Sequence, residues 1–439
     1  MALNKTDILR VLSEWNFWGK GLETGIPRPG YVDRAQKFLR SDAVVAVLGV
    51  RRAGKSFIVR QLGKELISDG VRPENILYVN FEARELADPT LDLLDRIEET
   101  YLNNLDPSGE RFVFLDEIHL VNGWERWVRS RQEQGRCRLV VTGSNTDLMK
   151  GELATTLTGR HLDVTVLPLG FSEFLAFRGS PVVSLLEMVQ KRAAVNRLFR
   201  EYMEFGGFPM VALSDAKKEI LGTYYDDILS KDIVRRYHVR EIGGLGKLSE
   251  FYLTNISCPV SFRSLEPKIG LSINTLEKFS GYLGNAMLVF FVGRFGWSFG
   301  ERNKSPRKVY AVDPGLSNAV GFRFSENTGA LAENIVALEL LRRKLVEPSM
   351  ELYYWRDESG REVDFVVKKG KRVSELIQVC WDLSDADTKK RELRALTGAM
   401  DKLGLNRGLV LNEDFEGVEK AGRKTIECRP IVKWLLDVH

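Results

Sequence analysis

Cysteine and histidine are scarce in this 439-residue chain, with four of each. The cysteines lie far apart and form no C-x2-C pair, so the sequence predicts neither a disulfide framework nor a structural zinc site; they are Cys137, Cys258, Cys380 and Cys428. The histidines show no metal-ligand spacing, at positions His119, His161, His238 and His439. We therefore expect buried thiols in a reducing compartment and no transition-metal site.

Long hydrophobic runs and an excess of one charge are also missing. No apolar stretch approaches the roughly 18 residues that span a membrane, and the N-terminal MALNKTDILRVLSEW lacks the pattern of a signal peptide. We therefore expect a cytoplasmic protein without membrane contact. Lys and Arg number 64 against 60 Asp and Glu, a net charge of +4. This balance neither requires nor excludes nucleic acid, so any DNA contact must come from local basic patches.

The length of the chain suggests roughly three domains of about 150 residues each. Strands and helices alternate over residues 43–167, where the strand candidates are 43–50, 75–82, 111–118, 138–144 and 162–167. Because these strands are mostly apolar, they predict an α/β fold with a parallel sheet covered by helices on both faces. Ligands of such sheets bind at the carboxyl ends of the strands.

A glycine-rich loop follows the first strand with the spacing Gly-x4-Gly-Lys-Ser. Glycines allow the backbone to turn its N–H groups toward phosphate oxygens, and the next helix directs its positive end at the same anion. Lys55 is expected to reach the β- and γ-phosphates of a nucleotide, and Ser56 to bind Mg²⁺ through its hydroxyl. We therefore predict ATP and Mg²⁺ as ligands, contacted by Gly49, Val50, Arg51, Arg52, Ala53, Gly54, Lys55, Ser56 and Phe57.

Two carboxylates end a buried strand about sixty residues after the lysine. The apolar residues 112–115 precede Asp116 and Glu117. Asp116 is expected to hold the water shell of Mg²⁺, and Glu117 to polarise the attacking water as general base. Together with the phosphate loop, this pair predicts ATP hydrolysis.

Two further polar residues have alternative interpretations. Asn145, after the next strand, either orients the lytic water or contacts the γ-phosphate, or it caps the following helix. Arg160, in a short turn after Gly159, either stabilises transition-state charge, in its own chain or across a subunit interface, or forms a surface salt bridge.

The rest of the chain divides into segments with different predicted secondary structure. Residues 1–42 predict short helices and a Gly/Pro-rich loop flanking the nucleotide. After the sheet domain at 43–167, a helical, lid-like region is expected at 168–243. Residues 244–307 have a winged-helix pattern, with Ser272 as the N-cap of its second helix. A smaller α/β domain is expected at 308–439.

Several motifs together resemble the prokaryotic ATPases of the AAA+ superfamily that border the STAND signalling ATPases. These motifs are GVRRAGKS, FLDEIH, TGSN, LTGR, VLPLGFSEFLAF, EYMEFGGFP, YYDDILSKDIVRRY, KVYAVDPGL, ENIVALEL, REVDFVV and LIQVCWDLS. The resemblance covers nearly the whole chain. It implies a P-loop AAA+ sheet, a helical and winged-helix part, and a C-terminal domain of unknown function with a nuclease-like core. In the related STAND ATPases a Gly-x-Pro element senses the nucleotide phosphates; here Gly207 and Pro209 match it, or form an ordinary helix-breaking turn.

The resemblance of the C-terminal domain to restriction endonucleases implies an active site of helix Glu, strand Asp and Glu-x-Lys. Glu333 and Asp364 fit the first two positions, but Gln378 and Cys380 replace Glu and Lys at the third. An amide is a weaker Mg²⁺ ligand than a carboxylate, and a thiol lacks the ammonium charge. We therefore expect a degenerate nuclease-like scaffold, and the sequence leaves open whether this scaffold binds nucleic acid or another protein.

Three functions follow from these patterns. The first is an ATPase whose nucleotide state moves the winged-helix and nuclease-like domains. The second is a switch that binds double-stranded DNA and hydrolyses ATP slowly, since polar residues occupy the second winged-helix helix and basic strings lie at 231–240 and 302–308. The third is an ATP-dependent nuclease. Self-association or a protein partner is compatible with each.

Overall fold

A computed structural model describes residues 4–19, 21–86, 88–143, 159–298, 300–301, 305–322 and 327–437. The chain divides into two compact units, Met1–Val166 and Leu167–His439. Among the described residues, no helix is both long enough and apolar enough to cross a membrane.

The N-terminal unit contains a five-stranded sheet in the order β2-β3-β4-β1-β5. Its strands are β1 Val44–Gly49, β2 Ile76–Asn80, β3 Phe112–Asp116, β4 Arg138–Gly143 and β5 His161–Val166. All neighbouring pairs are parallel. The predicted α/β fold class and parallel sheet are confirmed, and each observed strand lies within two residues of its prediction. This order brings the end of β1 between the ends of β4 and β5.

Helices cover both faces of this sheet, as the apolar strands require. They are α1 Lys5–Trp15, α2 Pro29–Leu39, α3 Lys55–Ser68, α4 Leu91–Leu105 and α5 Trp124–Glu133, with 3-10 turns at Pro73–Asn75, Arg84–Leu86 and Ile118–Leu120. Alternate residues of β1 (Val44, Ala46, Leu48) share one core with side chains of α1, α4 and α5. Helices α2 and α3 pack against β1 as well.

The C-terminal unit begins with a helical region. Its helices are α6 Phe171–Phe177, α7 Leu185–Gln190, α8 Arg192–Phe205, α9 Pro209–Leu213 and α10 Lys217–Asp227, continued by a π-helix at Ile228–Arg235. Further helices are α11 Ile242–Thr254, α12 Phe262–Ile269, α13 Ile273–Asn285, α14 Pro314–Val320, α15 Thr328–Val346, α16 Ala386–Leu403 and α17 Ile431–Leu436. Ser272 caps α13 as predicted, because its side chain accepts from the N–H of Thr275.

The C-terminal unit also contains a nine-stranded sheet, with the strand order β13-β14-β12-β11-β10-β9-β7-β8-β6. Its strands are β6 Pro259–Val260, β7 Val289–Arg294, β8 Arg307–Ala311, β9 Met350–Arg356, β10 Glu362–Lys369, β11 Arg372–Val379, β12 Arg407–Asn412, β13 Gly417–Ala421 and β14 Lys424–Pro430. Strand β8 pairs antiparallel with β7 and β6. The predicted boundary between the winged-helix segment, 244–307, and the smaller α/β domain, 308–439, therefore falls within β8. This strand pairs with β6 and β7, which both belong to the segment 244–307.

Candidate nucleotide site and C-terminal ion cluster

The phosphate loop connects β1 to α3 at the carboxyl edge of the sheet, and its glycines are required by the backbone. Gly49 has φ 149°, and a Cβ there would lie 2.1 Å from the carbonyl oxygen of Val166 on the neighbouring strand. Gly54 has φ 95° and precedes the first turn of α3. Because side chains are excluded at these two positions, the loop can bring its N–H groups close to an anion.

Lys55 lies inside this loop and is almost fully buried. Its ammonium donates to the carbonyl oxygens of Gly49, at 3.2 Å, and Val50, at 3.4 Å. It also lies 3.7 Å from Oε1 of Glu117. Ser56 and Phe57 follow in the first turn of α3, and the Phe57 ring is 40% exposed. The lysine is thus held at the loop where phosphates are expected.

Asp116 ends β3 with both carboxylate oxygens engaged. The Thr142 hydroxyl donates to Oδ1 at 2.5 Å, and the Tyr78 hydroxyl donates to Oδ2 at 2.5 Å. Burial raises the pKa of Tyr78 well above its ordinary value, and the Asp116 charge raises it further, so this hydroxyl keeps its proton. Two neutral donors therefore fix the orientation of the carboxylate without removing its charge.

Glu117 is held beside Asp116 in a strained backbone conformation. Its φ is 55°, in the left-handed region, and its N–H donates to the Thr142 hydroxyl at 2.9 Å. Oε2 lies 3.2 Å from Nδ1 of His119. Burial raises the pKa of Glu117 to about 7; Lys55 lowers it and Asp116 raises it. A buried carboxyl with a pKa near neutrality suits a general base.

Tyr78, Thr142 and His119 are the polar contacts of this site that the sequence did not assign. Thr142 was visible in the motif TGSN, but only the register of β4 beside β1, with Val47 opposite Thr142, brings its hydroxyl to the carboxylates. Tyr78 lies two residues before the end of β2, on the strand that pairs with β3. Its period-two spacing from Asn80, which pairs with Asp116, was the available signal.

The N-terminal segment contacts the phosphate loop directly. Arg28 is buried and donates from Nη1 to the carbonyl oxygen of Ala53 at 2.8 Å. Its N–H donates to Oε1 of Gln61, whose amide donates to the carbonyl oxygens of Thr24 and Ile26. This segment is therefore fixed both to the loop and to α3.

The other two predicted residues of this unit do not join the site. Asn145 lies outside the described residues. Arg160 precedes β5 at the amino edge of the sheet, where its guanidinium donates to Glu133 at 3.0 Å. Since β5 is parallel to β1, about 17 Å of strand separates Arg160 from the edge that carries the phosphate loop. Arg160 therefore lies away from the phosphate loop of its own chain in this structure, and its action, in its own chain or across a subunit interface, stays a prediction.

The predicted phosphate sensor lies in the C-terminal unit. The Gly207 N–H donates to Oδ2 of Asp313 at 2.7 Å, and a Cβ at Gly207 would lie 2.4 Å from the Leu169 carbonyl oxygen. Pro209 is the first residue of α9. Burial raises the pKa of Asp313 to about 7, opposed by hydrogen bonds from the N–H groups of Gly207, Leu316 and Gly315. The glycine N–H thus has an internal acceptor, and its contact with a nucleotide remains a prediction.

The predicted nuclease-like residues form a buried cluster with a lysine that the sequence did not reveal. Lys308 of β8 contacts Glu333 Oε1 at 2.9 Å, Glu362 Oε1 at 2.7 Å and Asp364 Oδ1 at 2.8 Å. The sequence predicts that Cys380 cannot supply an ammonium at the third position; in the structure an ammonium from a different strand, that of Lys308, lies beside Asp364.

The third predicted position does not reach that ammonium. Gln378 accepts from the N–H of Asp364 at 3.2 Å and donates to Glu392 at 2.8 Å. The Cys380 thiol donates to the Asp382 carbonyl oxygen, and burial raises its pKa to about 11. Over the described ranges, no group of three or more His, Cys, Asp or Glu residues is arranged to hold a metal ion.

Comparisons with known proteins identify the class of the N-terminal domain. A family model described as an AAA domain matches residues 41–175, and two models described only as domains of unknown function match residues 196–328 and 328–431. Among solved structures, the chain is similar to the Walker-type ATPase of Pyrococcus abyssi, with 15% identity, a TM-score of 0.42, and coverage of 67% of this chain and 95% of that chain.

Two full-length relatives are also similar. An uncharacterized protein of Methanocaldococcus jannaschii is 32% identical over 90% of this chain and 88% of its own length. An uncharacterized protein of Haemophilus influenzae is 30% identical over 94% of this chain and 99% of its own length. The chain therefore belongs to the family of these two proteins, and its residues 41–175 are an AAA-type P-loop ATPase domain.

Proposed function

We propose that this protein binds ATP with Mg²⁺ and hydrolyses it at the carboxyl edge of the N-terminal sheet. The observation that carries this proposal is the convergence of Lys55 and Glu117, 3.7 Å apart and both buried. The backbone of the phosphate loop supports an anion site, because the positive φ of Gly54 and the close approach of Gly49 to the Val166 carbonyl oxygen both require glycine.

Each residue of the site has a separate role in the proposed reaction. Lys55 and the loop N–H groups bind the phosphates, and the Ser56 hydroxyl and Asp116 would hold Mg²⁺, the latter through water. When bound, Mg²⁺ supplies charge neutralisation for the phosphate oxygens. Glu117 accepts a proton from the attacking water, and Thr142 orients the Glu117 backbone.

Two substitutions separate binding from hydrolysis. Lys55→Ala should abolish tight ATP binding, whereas Glu117→Gln should keep binding and lose turnover, because the amide cannot accept the proton. Lys64→Ala, on the exposed face of the same helix, is the matched control. Nucleotide affinity and phosphate release are measured for all three variants. Normal turnover by Lys55→Ala would show that the site is wrongly assigned.

We propose that the ATP cycle moves the C-terminal unit, with its winged-helix and nuclease-like parts, relative to the ATPase core. The supporting observation is the element order α11, β6, α12, α13, β7, β8, with β8 between β6 and β7, which matches a winged helix. Exposed basic side chains on α12 and α13 favour duplex DNA as a partner of a slow switch; they are Arg263, Lys268 and Lys278.

A DNA titration tests that second function. Fluorescent duplex DNA is titrated with protein in ATP, in ADP and without nucleotide, at low and moderate salt. Salt-sensitive binding that changes with nucleotide, and that is weakened by Lys278→Ala, supports the switch. Absence of binding at low salt in every nucleotide state counts against it.

We propose that Arg160 acts across an interface between copies of this chain. Its guanidinium is half-exposed at the amino edge of the sheet, within reach of another molecule. Mixing Lys55→Ala with Arg160→Ala chains should restore hydrolysis that neither variant shows alone, since an intact loop then meets an intact arginine. Unchanged activity of Arg160→Ala by itself, or a monomer in ATP, rejects this role.

A further inference from the structure

Lys308 is the most deeply buried charge in the C-terminal cluster, with 1% of its surface exposed. An ammonium has three N–H donors, and one oxygen from each of three carboxylates lies 2.7–2.9 Å from Nζ. The carboxylates come from different elements: Glu333 from α15, Glu362 and Asp364 from β10. The lysine charge therefore occupies the point at which these carboxylates converge.

We propose that Lys308 is the permanent cation of this cluster, so that the carboxylates form a closed ion cluster and not a divalent-metal site for phosphodiester cleavage. This inference concerns the C-terminal unit and is independent of ATP hydrolysis. The sequence attributes the expected loss of nuclease activity to Gln378 and Cys380, which replace Glu and Lys. The proposal attributes it instead to Lys308, whose ammonium occupies the place of a metal ion.

The distances leave no space for a second cation bound by the same three oxygens. Mg²⁺ requires near-octahedral oxygen ligands at about 2.0–2.1 Å. An ion bound by the same oxygens of Glu333, Glu362 and Asp364 would lie in the space of the ammonium and repel its charge. A metal ion can therefore bind these three oxygens only if the Lys308 ammonium moves away, and the Lys308 side chain is buried.

Further hydrogen bonds hold two carboxylates of the cluster in place. Glu333 Oε1 also accepts from the Tyr310 hydroxyl at 2.7 Å, and Asp364 Oδ2 accepts from the Val379 N–H at 2.9 Å. The Asp364 N–H in turn donates to Gln378. These bonds hold Asp364 facing the lysine, and they satisfy groups that would otherwise be costly to bury.

Electrostatics support the same assignment. Burial alone would lower the pKa of Lys308, but Asp364, Glu333 and Glu362 raise it well above the ordinary value, so the ammonium stays charged. Burial raises the pKa of Glu333 to about 8, with Asp364 acting in the same direction and Lys308 against it. The Lys308 ammonium therefore offsets part of the negative charge of the three carboxylates, and the raised pKa of Glu333 acts in the same direction.

Mn²⁺ binding to the full-length, nucleotide-free protein tests the proposal. Bound Mn²⁺ is measured by electron paramagnetic resonance, and thermal unfolding and nicking of supercoiled plasmid are followed with and without Mn²⁺. The wild-type chain should show no Mn²⁺ site that Asp364→Asn removes, and no nicking. Lys308→Met, which removes the charge but keeps the length, should bind Mn²⁺ at least about tenfold more tightly than wild type and gain thermal stability from it.

Controls assign the effect to the cluster. Adding Asp364→Asn to Lys308→Met should abolish the new Mn²⁺ response, and Lys368→Met, which removes a lysine paired with Glu351 on the same sheet, should leave it at the wild-type level. If Lys308→Met fails to fold, the proposal is still tested by Mn²⁺ titration of the wild-type chain and of Lys308→Arg, which keeps the positive charge. A wild-type Mn²⁺ site that depends on Asp364, plasmid nicking that Lys308→Met abolishes, or a folded Lys308→Met without Mn²⁺ response would overturn the proposal.

Discussion

The Thr142 hydroxyl links the Asp116 carboxylate to the backbone N–H of Glu117, so removing it tests the proposed geometry closely. Thr142 donates to Asp116 Oδ1 and accepts from the Glu117 N–H, at 2.5 and 2.9 Å. Thr142→Val keeps the shape of the side chain and removes both bonds. Thr142→Ser keeps the hydroxyl and is the matched control.

The expected size of the effect follows from the two bonds lost. A bond to a charged group contributes about 1.5–3 kcal/mol, and a neutral one about 0.5–1.5 kcal/mol. Their loss therefore removes roughly 2–4 kcal/mol, which corresponds to about 30- to 1000-fold in rate if all of it falls on the transition state. Because part of the loss appears as reduced stability, we expect kcat to fall by about 10- to 100-fold.

Steady-state phosphate release at saturating ATP measures this change. The KM of Thr142→Val should change less than kcat, because the hydroxyl bonds the Asp116 carboxylate and the Glu117 N–H and not the phosphate loop. Thr142→Ser should retain most of the wild-type kcat. A Thr142→Val enzyme with kcat within twofold of wild type would show that the orientation of Asp116 and Glu117 does not limit turnover.

Three further outcomes are expected. Gly49→Ala should lower the melting temperature of the N-terminal unit and abolish ATP binding, since its Cβ would lie 2.1 Å from the Val166 carbonyl oxygen; circular dichroism and a nucleotide titration measure both. The kcat should rise with pH through about 7, because Glu117 must lose its proton to act as a base, and Glu117→Gln should show no such rise in a pH–rate profile. Arg28→Met should raise the KM for ATP by about three- to tenfold with a smaller change in kcat, since a lost charged bond to Ala53 loosens the loop; Michaelis–Menten kinetics measure the split.

The parts of the site set by local sequence were predictable. Gly49, Lys55 and Ser56 form one contiguous pattern whose backbone geometry follows from the spacing. Asp116 and Glu117 follow an apolar strand directly, and parallel strands place their carboxyl ends at one edge of the sheet. The positions of these residues in space therefore follow from the strands that directly precede them in the sequence.

Residues brought together by register were not predictable in the same way. Lys308 contacts Glu333 and Asp364 because β8 belongs to the same sheet as β10, next to β7. The position of Lys308 in the sequence gives no sign of these contacts. Arg160 illustrates the opposite case. A turn beside a glycine looks alike at either edge of a sheet, and only the direction of β5 places it away from the loop.

The Lys308 cluster determines where this chain can be cut into fragments. The lysine lies in the segment 196–328, whereas Glu333, Glu362 and Asp364 lie in the segment 328–431. A fragment cut at residue 328 would therefore bury three carboxylates without their cation, and the other fragment would bury a cation without its anions. The two segments match separate family models but share this ion cluster, so truncations should keep residues 167–439 together.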